Sequence, residues 1–127
     1  MPKFGKRSRK ELATAHPDLQ WLFNEVIKEY DCAVICGHRG RADQDKAFAE
    51  GKSQRKWPNS KHNKIPSLAV DVAPYDSDTK KILWNDHTRF KELAAVVKDT
   101  ANRLGIKVKC GIDWKKFPDA PHYQLPG

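Results

Sequence analysis

His62, Asp71 and His122 are residue types that hold zinc, and together they supply two imidazoles and one carboxylate. Three protein ligands with a fourth position left for water is the pattern of a catalytic zinc rather than a structural one. The first two lie in S-K-H-N-K-I-P-S-L-A-V-D, Ser60 to Asp71, a loop running into an apolar strand. The third lies in D-A-P-H-Y-Q, Asp119 to Gln124. Taken alone among Lys61, Asn63 and Lys64, His62 reads as a solvated loop histidine; it is the company of the other two that makes it a ligand. Asp71 stands in the apolar run Leu68 to Ala73, where a carboxylate needs a partner and a metal is a good one. Asp119, three residues before His122, is placed to work beside the metal rather than to bind it.

The elements that must position these groups follow from periodicity and punctuation. Ser8-Arg9-Lys10-Glu11 has the form of a capping box opening a short helix. His16-Pro17 starts a second helix, with Leu19, Leu22, Phe23, Val26 and Ile27 on one stripe. Cys32 to Cys36 is a β-leaning run ending at Gly37, so Arg39 projects from a strand end. Ala42 to Glu50 reads as a helix stopped by Gly51. Lys52 to Pro66 is a polar loop that delivers Ser60 and His62. In the following strand, alternation puts Ala69, Asp71 and Ala73 on one face. Phe90, Leu93, Ala94, Val97, Ala101 and Leu104 mark the longest helix, closed by Gly105. Ile106 to Cys110 and His122 to Leu125 complete the strands. Few strands and several helices, without β-α-β alternation, predict an α+β domain: a small, mainly antiparallel sheet with helices packed over one face and the ligands on the other.

Composition sets the outer limits. A chain of 127 residues is a single domain, residues 1–127, able to bury one core without disulfides. No run approaches the roughly 20 apolar residues of a membrane span, and the basic N-terminus lacks the apolar segment of an export signal. The expectation is therefore a chain made in a reducing cytosol, with no export signal of its own. Cys32, Cys36 and Cys110 are an odd number without C-x-x-C spacing, and are expected as buried, unpaired thiols. A formal charge of +8 implies an anionic partner. No nucleic-acid motif accompanies that charge. Peptidoglycan carboxylates, teichoic acids and lipopolysaccharide are equally anionic and charge alone does not choose between these surfaces; it is the missing motif that makes nucleic acid an unexpected partner. The chain is expected to act as a monomer.

The S-x-H segment, the A-V-D strand, the late D-x-P-H and the upstream G-x-R-x-x-x-x-Q (Gly37, Arg39, Gln44) occur in one order. With them the chain resembles the zinc peptidases that cut D-amino-acid-containing peptides of bacterial cell walls. That family joins D-alanyl-D-alanine carboxypeptidases to phage L-alanyl-D-glutamate endopeptidases. The resemblance runs from about Phe4 to about Leu125, and the short phage endolysins are nearest in length and in the K-F-G-K-R-S opening. It implies the hedgehog/D-Ala-D-Ala peptidase-like fold, a Zn2+ cofactor on His62, Asp71 and His122, and the peptidoglycan stem peptide as substrate. It also implies Asp119 as general base and Arg39 as the group holding a substrate carboxylate or the developing oxyanion. Ser60 fits either of two roles, bonding substrate or holding the His62 loop. Gln44 can orient that loop, touch substrate backbone or simply face solvent. Trp114 lines the groove or packs its rim, and Gln124 orients a ligand.

The chain departs from the pattern in one place. The family spaces its first histidine and aspartate as H-x-x-G-x-A-x-D, whereas nine positions separate His62 from Asp71 here, with Pro66-Ser67 where the glycine would stand. Two extra loop residues cost little. Small size and basic charge favour a lytic endopeptidase over a D-alanyl-D-alanine carboxypeptidase. Asp119 argues against a non-catalytic wall-binding or nucleic-acid-binding domain, which has no need of a base beside a metal set.

Overall fold

The computed structural model describes residues 2–127. Its strands form one antiparallel sheet in the order β1 (Cys32–Cys36), β2 (Ala69–Asp76), β5 (His122–Gln124), β4 (Lys109–Cys110), with β3 (Lys81–Ile82) paired to the far end of β2. Helices α2 (Pro17–Val26) and α4 (His87–Leu104) pack on each other, and α4 on β2. The core joins Leu19, Leu22, Phe23 and Val26 of α2 to Leu93, Val97 and Ala101 of α4 and to Val34, Val70, Val72 and Tyr123 of the sheet. This is the expected α+β architecture. Alternation along β2 and β5 then leaves Asp71, His122 and Gln124 on the opposite face.

The helix boundaries follow local chemistry. His16 caps α2, its Nδ1 accepting the Asp18 amide at 3.0 Å, with Pro17 in the first turn. Asp86 caps α4 through the Arg89 amide, and Gly105 closes it in the left-handed conformation, φ 73°. Helix α3 (Arg41–Ala49) has one buried residue, Gln44, and stands beside the sheet as a wall of the groove.

Four expectations need correction. Ser8 and Glu11 do not form a capping box: Gly5 caps α1 (Lys6–Leu12) without a side-chain bond. Ser8 Oγ instead accepts the Val34 amide at 3.0 Å, and Glu11 Oε1 the Gly37 amide at 3.2 Å. β1 is an edge strand whose free amides need acceptors, and α1 supplies them. Cys36 is half-buried, because a register shift between Val34 and Cys36 breaks the alternation that would have put it beside buried Cys32. The strand expected over 106–110 is paired only at Lys109–Cys110. β3 and the 3-10 turn Gly111–Asp113 were not expected at all.

Candidate active site

Asp71 and His122 are direct cross-strand partners on β2 and β5, so sheet register fixes their separation. His122 Nδ1 lies 3.5 Å from Asp71 Oδ1. Its other nitrogen, Nε2, donates to Gln124 Oε1 at 2.8 Å, which holds the ring and leaves Nδ1 with its lone pair toward Asp71.

His62 arrives from the 3-10 turn Lys61–Asn63. Ser60 Oγ accepts the His62 amide at 3.2 Å, and Asn63 Oδ1 accepts the Ser60 amide at 3.0 Å, so the turn is capped from both ends. Ser60 thus holds the His62 loop; it is buried yet still lines the groove, so contact with substrate stays open to it as well. His62 Nδ1 donates to the Gly37 carbonyl at 2.8 Å, which points Nε2 at Asp71 Oδ1, 3.4 Å away. Gly37 is needed here because a Cβ on it would lie 2.2 Å from the Glu11 carbonyl oxygen. The two additional loop residues are absorbed by an excursion in which Ile65 is exposed and Ser67 is pinned: its amide donates to the Thr14 carbonyl at 3.0 Å and its carbonyl accepts the His16 amide at 2.8 Å. None of residues 63–67 lines the groove.

His62 Nε2 and Asp71 Oδ1 are buried and have no hydrogen-bond partner among the described residues. Such orphans are costly unless something else fills the gap. A tetrahedron with ligand bonds of about 2.0–2.1 Å has edges of about 3.4 Å. The two observed nitrogen-to-oxygen separations of 3.4 and 3.5 Å match that edge, and two nitrogens with one carboxylate suit zinc. Without a cation, burial opposes charge on His62, but the Asp71 carboxylate overrides it and lifts the imidazole to about 10. Burial pushes Asp71 upward as well, yet the imidazoles of His122 and His62 beside it hold it well below the usual carboxylate range. A proton here takes the place a cation would fill.

Asp119 belongs to the same cluster, with ligand-capable atoms of Asp71, Asp119 and His122 all within 4.8 Å of one another. Its pKa is raised, first by burial and then by the negative charge of Asp71. Its amide donates to the Gly111 carbonyl at 2.9 Å, and its carbonyl accepts the His122 amide at 3.0 Å. A Cβ at Gly111 would come within 2.3 Å of the Asp119 carbonyl oxygen and 2.9 Å of His122 Cβ, so glycine permits this approach.

Arg39 lines the groove, with one guanidinium nitrogen 3.5 Å from Asp71 Oδ2 and another donating to Gln44 Oε1 at 3.0 Å. Gln44 is fully buried and does not line the groove. Its Oε1 also accepts from Asn63 Nδ2 at 3.1 Å, while its Nε2 donates to Ser53 Oγ at 2.9 Å and the Arg55 carbonyl at 2.7 Å. Of its three candidate roles this geometry leaves loop orientation; contact with substrate and a solvent-facing position are both excluded by burial. Trp114 lines the groove with its ring centroid 5.0 Å from that of His122. Sequence reasoning missed Asn63, which locks the His62 turn and whose N-cap spacing from Ser60 is its only local signal. It also missed Gly111, whose need arises from a residue eight positions later. The groove has a volume of about 1310 Å³.

Fold and site together fit a hydrolase: a His/Asp/His cluster of metal-ligand type, a carboxylate beside it and the Arg39 guanidinium lining the same groove. The chain belongs to the phage L-alanyl-D-glutamate peptidase family, whose model matches residues 1–124. It is 37% identical over 119 residues to the L-alanyl-D-glutamate peptidase of Escherichia phage T5, spanning 92% of this chain and 85% of that protein. Its fold matches the crystal structure of the Serratia marcescens L-Ala D-Glu endopeptidase ChiX with a TM-score of 0.82 at 28% identity, over 98% of this chain and 90% of the other. No described helix is long and apolar enough to cross a membrane.

Proposed function

We propose that this chain is a zinc-dependent endolysin-type peptidase that hydrolyses the L-alanyl-D-glutamate bond of the peptidoglycan stem peptide. The observation that carries this reading is the pair of buried, unpartnered atoms His62 Nε2 and Asp71 Oδ1 facing each other beside His122 Nδ1 and Asp119, in a chain of this family. The names of the T5 and Serratia proteins support the endopeptidase over the D-alanyl-D-alanine carboxypeptidase.

His62, Asp71 and His122 would hold the ion. When bound, zinc supplies Lewis acidity that polarises the scissile carbonyl and acidifies an attacking water. Asp119 takes the proton of that water and returns it to the leaving amine, a task its raised pKa suits. Arg39 offers the fixed donor fork of guanidinium to the developing oxyanion or to a substrate carboxylate, while its bond to Gln44 keeps the fork in place. Gln124 and the Gly37 carbonyl keep the imidazoles turned toward Asp71. The charge of +8 draws the protein to the anionic wall.

Mass spectrometry of fragments released from purified sacculi tests the bond cut: new L-alanine carboxyl and D-glutamate amino ends are expected. Loss of terminal D-alanine alone would replace this reading by the carboxypeptidase. Metal analysis of His62→Ala and His122→Ala tests the ligands, and full zinc occupancy in both would sink the site.

A further inference from the structure

The groove carries aromatic side chains that the chemistry above does not use. Trp84 and Phe117 line it and are 51% and 66% exposed, among the most exposed large hydrophobic residues described. Trp84 leans on Phe90, ring centroids 6.4 Å apart, yet half of its surface stays open. Phe117 adopts a left-handed backbone, φ 51°, which costs any residue but glycine free energy. It stands two residues before Asp119. A strained residue that exposes an aromatic ring at the lip of an active-site groove gains nothing in the core, so its use is sought in a ligand.

The substrate suggests which. In the stem peptide, L-alanine is the first residue and is joined through its amine to the lactyl group of an N-acetylated sugar. One extended residue spans ~3.5 Å. Hydrolysis of the bond after L-alanine therefore brings that sugar ring to the groove wall next to the metal-ligand cluster. Flat apolar rings beside a polar groove suit a pyranose, whose C–H face packs on an aromatic surface while its hydroxyl and acetamido groups stay wet.

We propose that Trp84 and Phe117 form a saccharide-binding rim that receives the amino sugar bearing the stem peptide, so that the preferred substrate is glycan-linked rather than free peptide. This rests on the peptidase reading above. The test compares kcat/KM on a purified disaccharide-tetrapeptide with that on the same tetrapeptide freed of sugar. The parent chain is expected to favour the saccharide-bearing substrate by at least about tenfold, equal to ~1.4 kcal/mol. Trp84→Leu and Phe117→Gly should bring that ratio toward one, and Trp84→Tyr should keep most of it. Phe117→Gly relieves the left-handed backbone, so it folds at least as well as the parent and carries the test even if Trp84→Leu does not fold. Equal rates on both substrates in the parent, or a ratio untouched by Phe117→Gly and Trp84→Leu, would overturn the rim. A preference that follows peptide length instead of sugar would do the same, assigning the rings to peptide. Cleavage of neither substrate would fell the peptidase reading itself.

Discussion

Gln44→Leu should cost this fold a large share of its stability although the residue touches neither metal ligand nor substrate groove. Leucine keeps size and burial but removes four hydrogen bonds, those from Arg39 and Asn63 and those to Ser53 and the Arg55 carbonyl. The Arg39 bond is charge-assisted and worth about 1.5–3 kcal/mol net; each neutral bond is worth about 0.5–1.5. Asn63 Nδ2 and the Arg55 carbonyl each keep one other partner and Ser53 Oγ keeps two, so their losses fall at the low end. The sum is about 3–4.5 kcal/mol, against the roughly 5–15 kcal/mol of a whole domain. Equilibrium urea denaturation measures it directly. Gln44→Glu keeps the acceptor toward Arg39 and should lose less, while turnover should fall in both as Arg39 and the His62 turn loosen. A Gln44→Leu protein within about 1 kcal/mol of the parent, with turnover intact, would refute the claim that this amide braces the site.

Asp119→Asn keeps size but cannot accept a proton, so turnover should drop roughly 10²–10⁴-fold with zinc content unchanged; loss of the metal would make Asp119 a ligand instead. Gln124→Leu orphans His122 Nε2 and should weaken zinc affinity about 10–100-fold by competition titration, whereas Gln124→Glu should not. In chelator-treated protein the folded His62 pKa of about 10 exceeds the ordinary 6.5, so its stabilising contribution is complete below 6.5 and fades as pH rises toward 10. Asp71 acts at the other end, its contribution present above about 3.8 and lost on acidification. The metal-free Tm should therefore fall between pH 7 and 9, and the zinc-saturated Tm should not follow, since the cation replaces the proton; a flat metal-free profile counts against the His62–Asp71 coupling. Added salt should depress activity on whole sacculi more than on a soluble stem peptide, because exposed charges are screened beyond about 8 Å.

What was legible in the sequence is what local pattern encodes. Asp71 betrays itself as a carboxylate inside an apolar strand, and His16-Pro17 and Gly105 mark helix ends by their own backbone chemistry. What was not legible depends on partners far along the chain. Ser8 and Glu11 look like a cap because their spacing is right, but the amides they satisfy belong to Val34 of β1 and to Gly37 just after it, each 26 residues away. Cys36 leaves the core because of a bulge whose cause is the pairing with β2. Gln44 sits on a polar helix with no apolar stripe, so nothing local tells that it is the helix's one buried residue.

The same division runs through the site. Asp71 and His122 are opposed in a β2–β5 register that Val70, Val72 and Tyr123 secure by filling the core from the other face. A slip by one residue would exchange the two faces and bury both side chains, so core packing and the geometry of the site are selected by the same pairing. His62 comes from a loop, yet that loop is held by hydrogen bonds involving Ser60, Asn63, Gln44 and the Gly37 carbonyl. Opposite the α3 wall the groove is lined differently: Trp84, Lys116 and Phe117 lie in connections outside regular structure. Substitutions there can reshape the groove without moving the site cluster, whereas changes beneath Asp71 and His122 reach that cluster through the register.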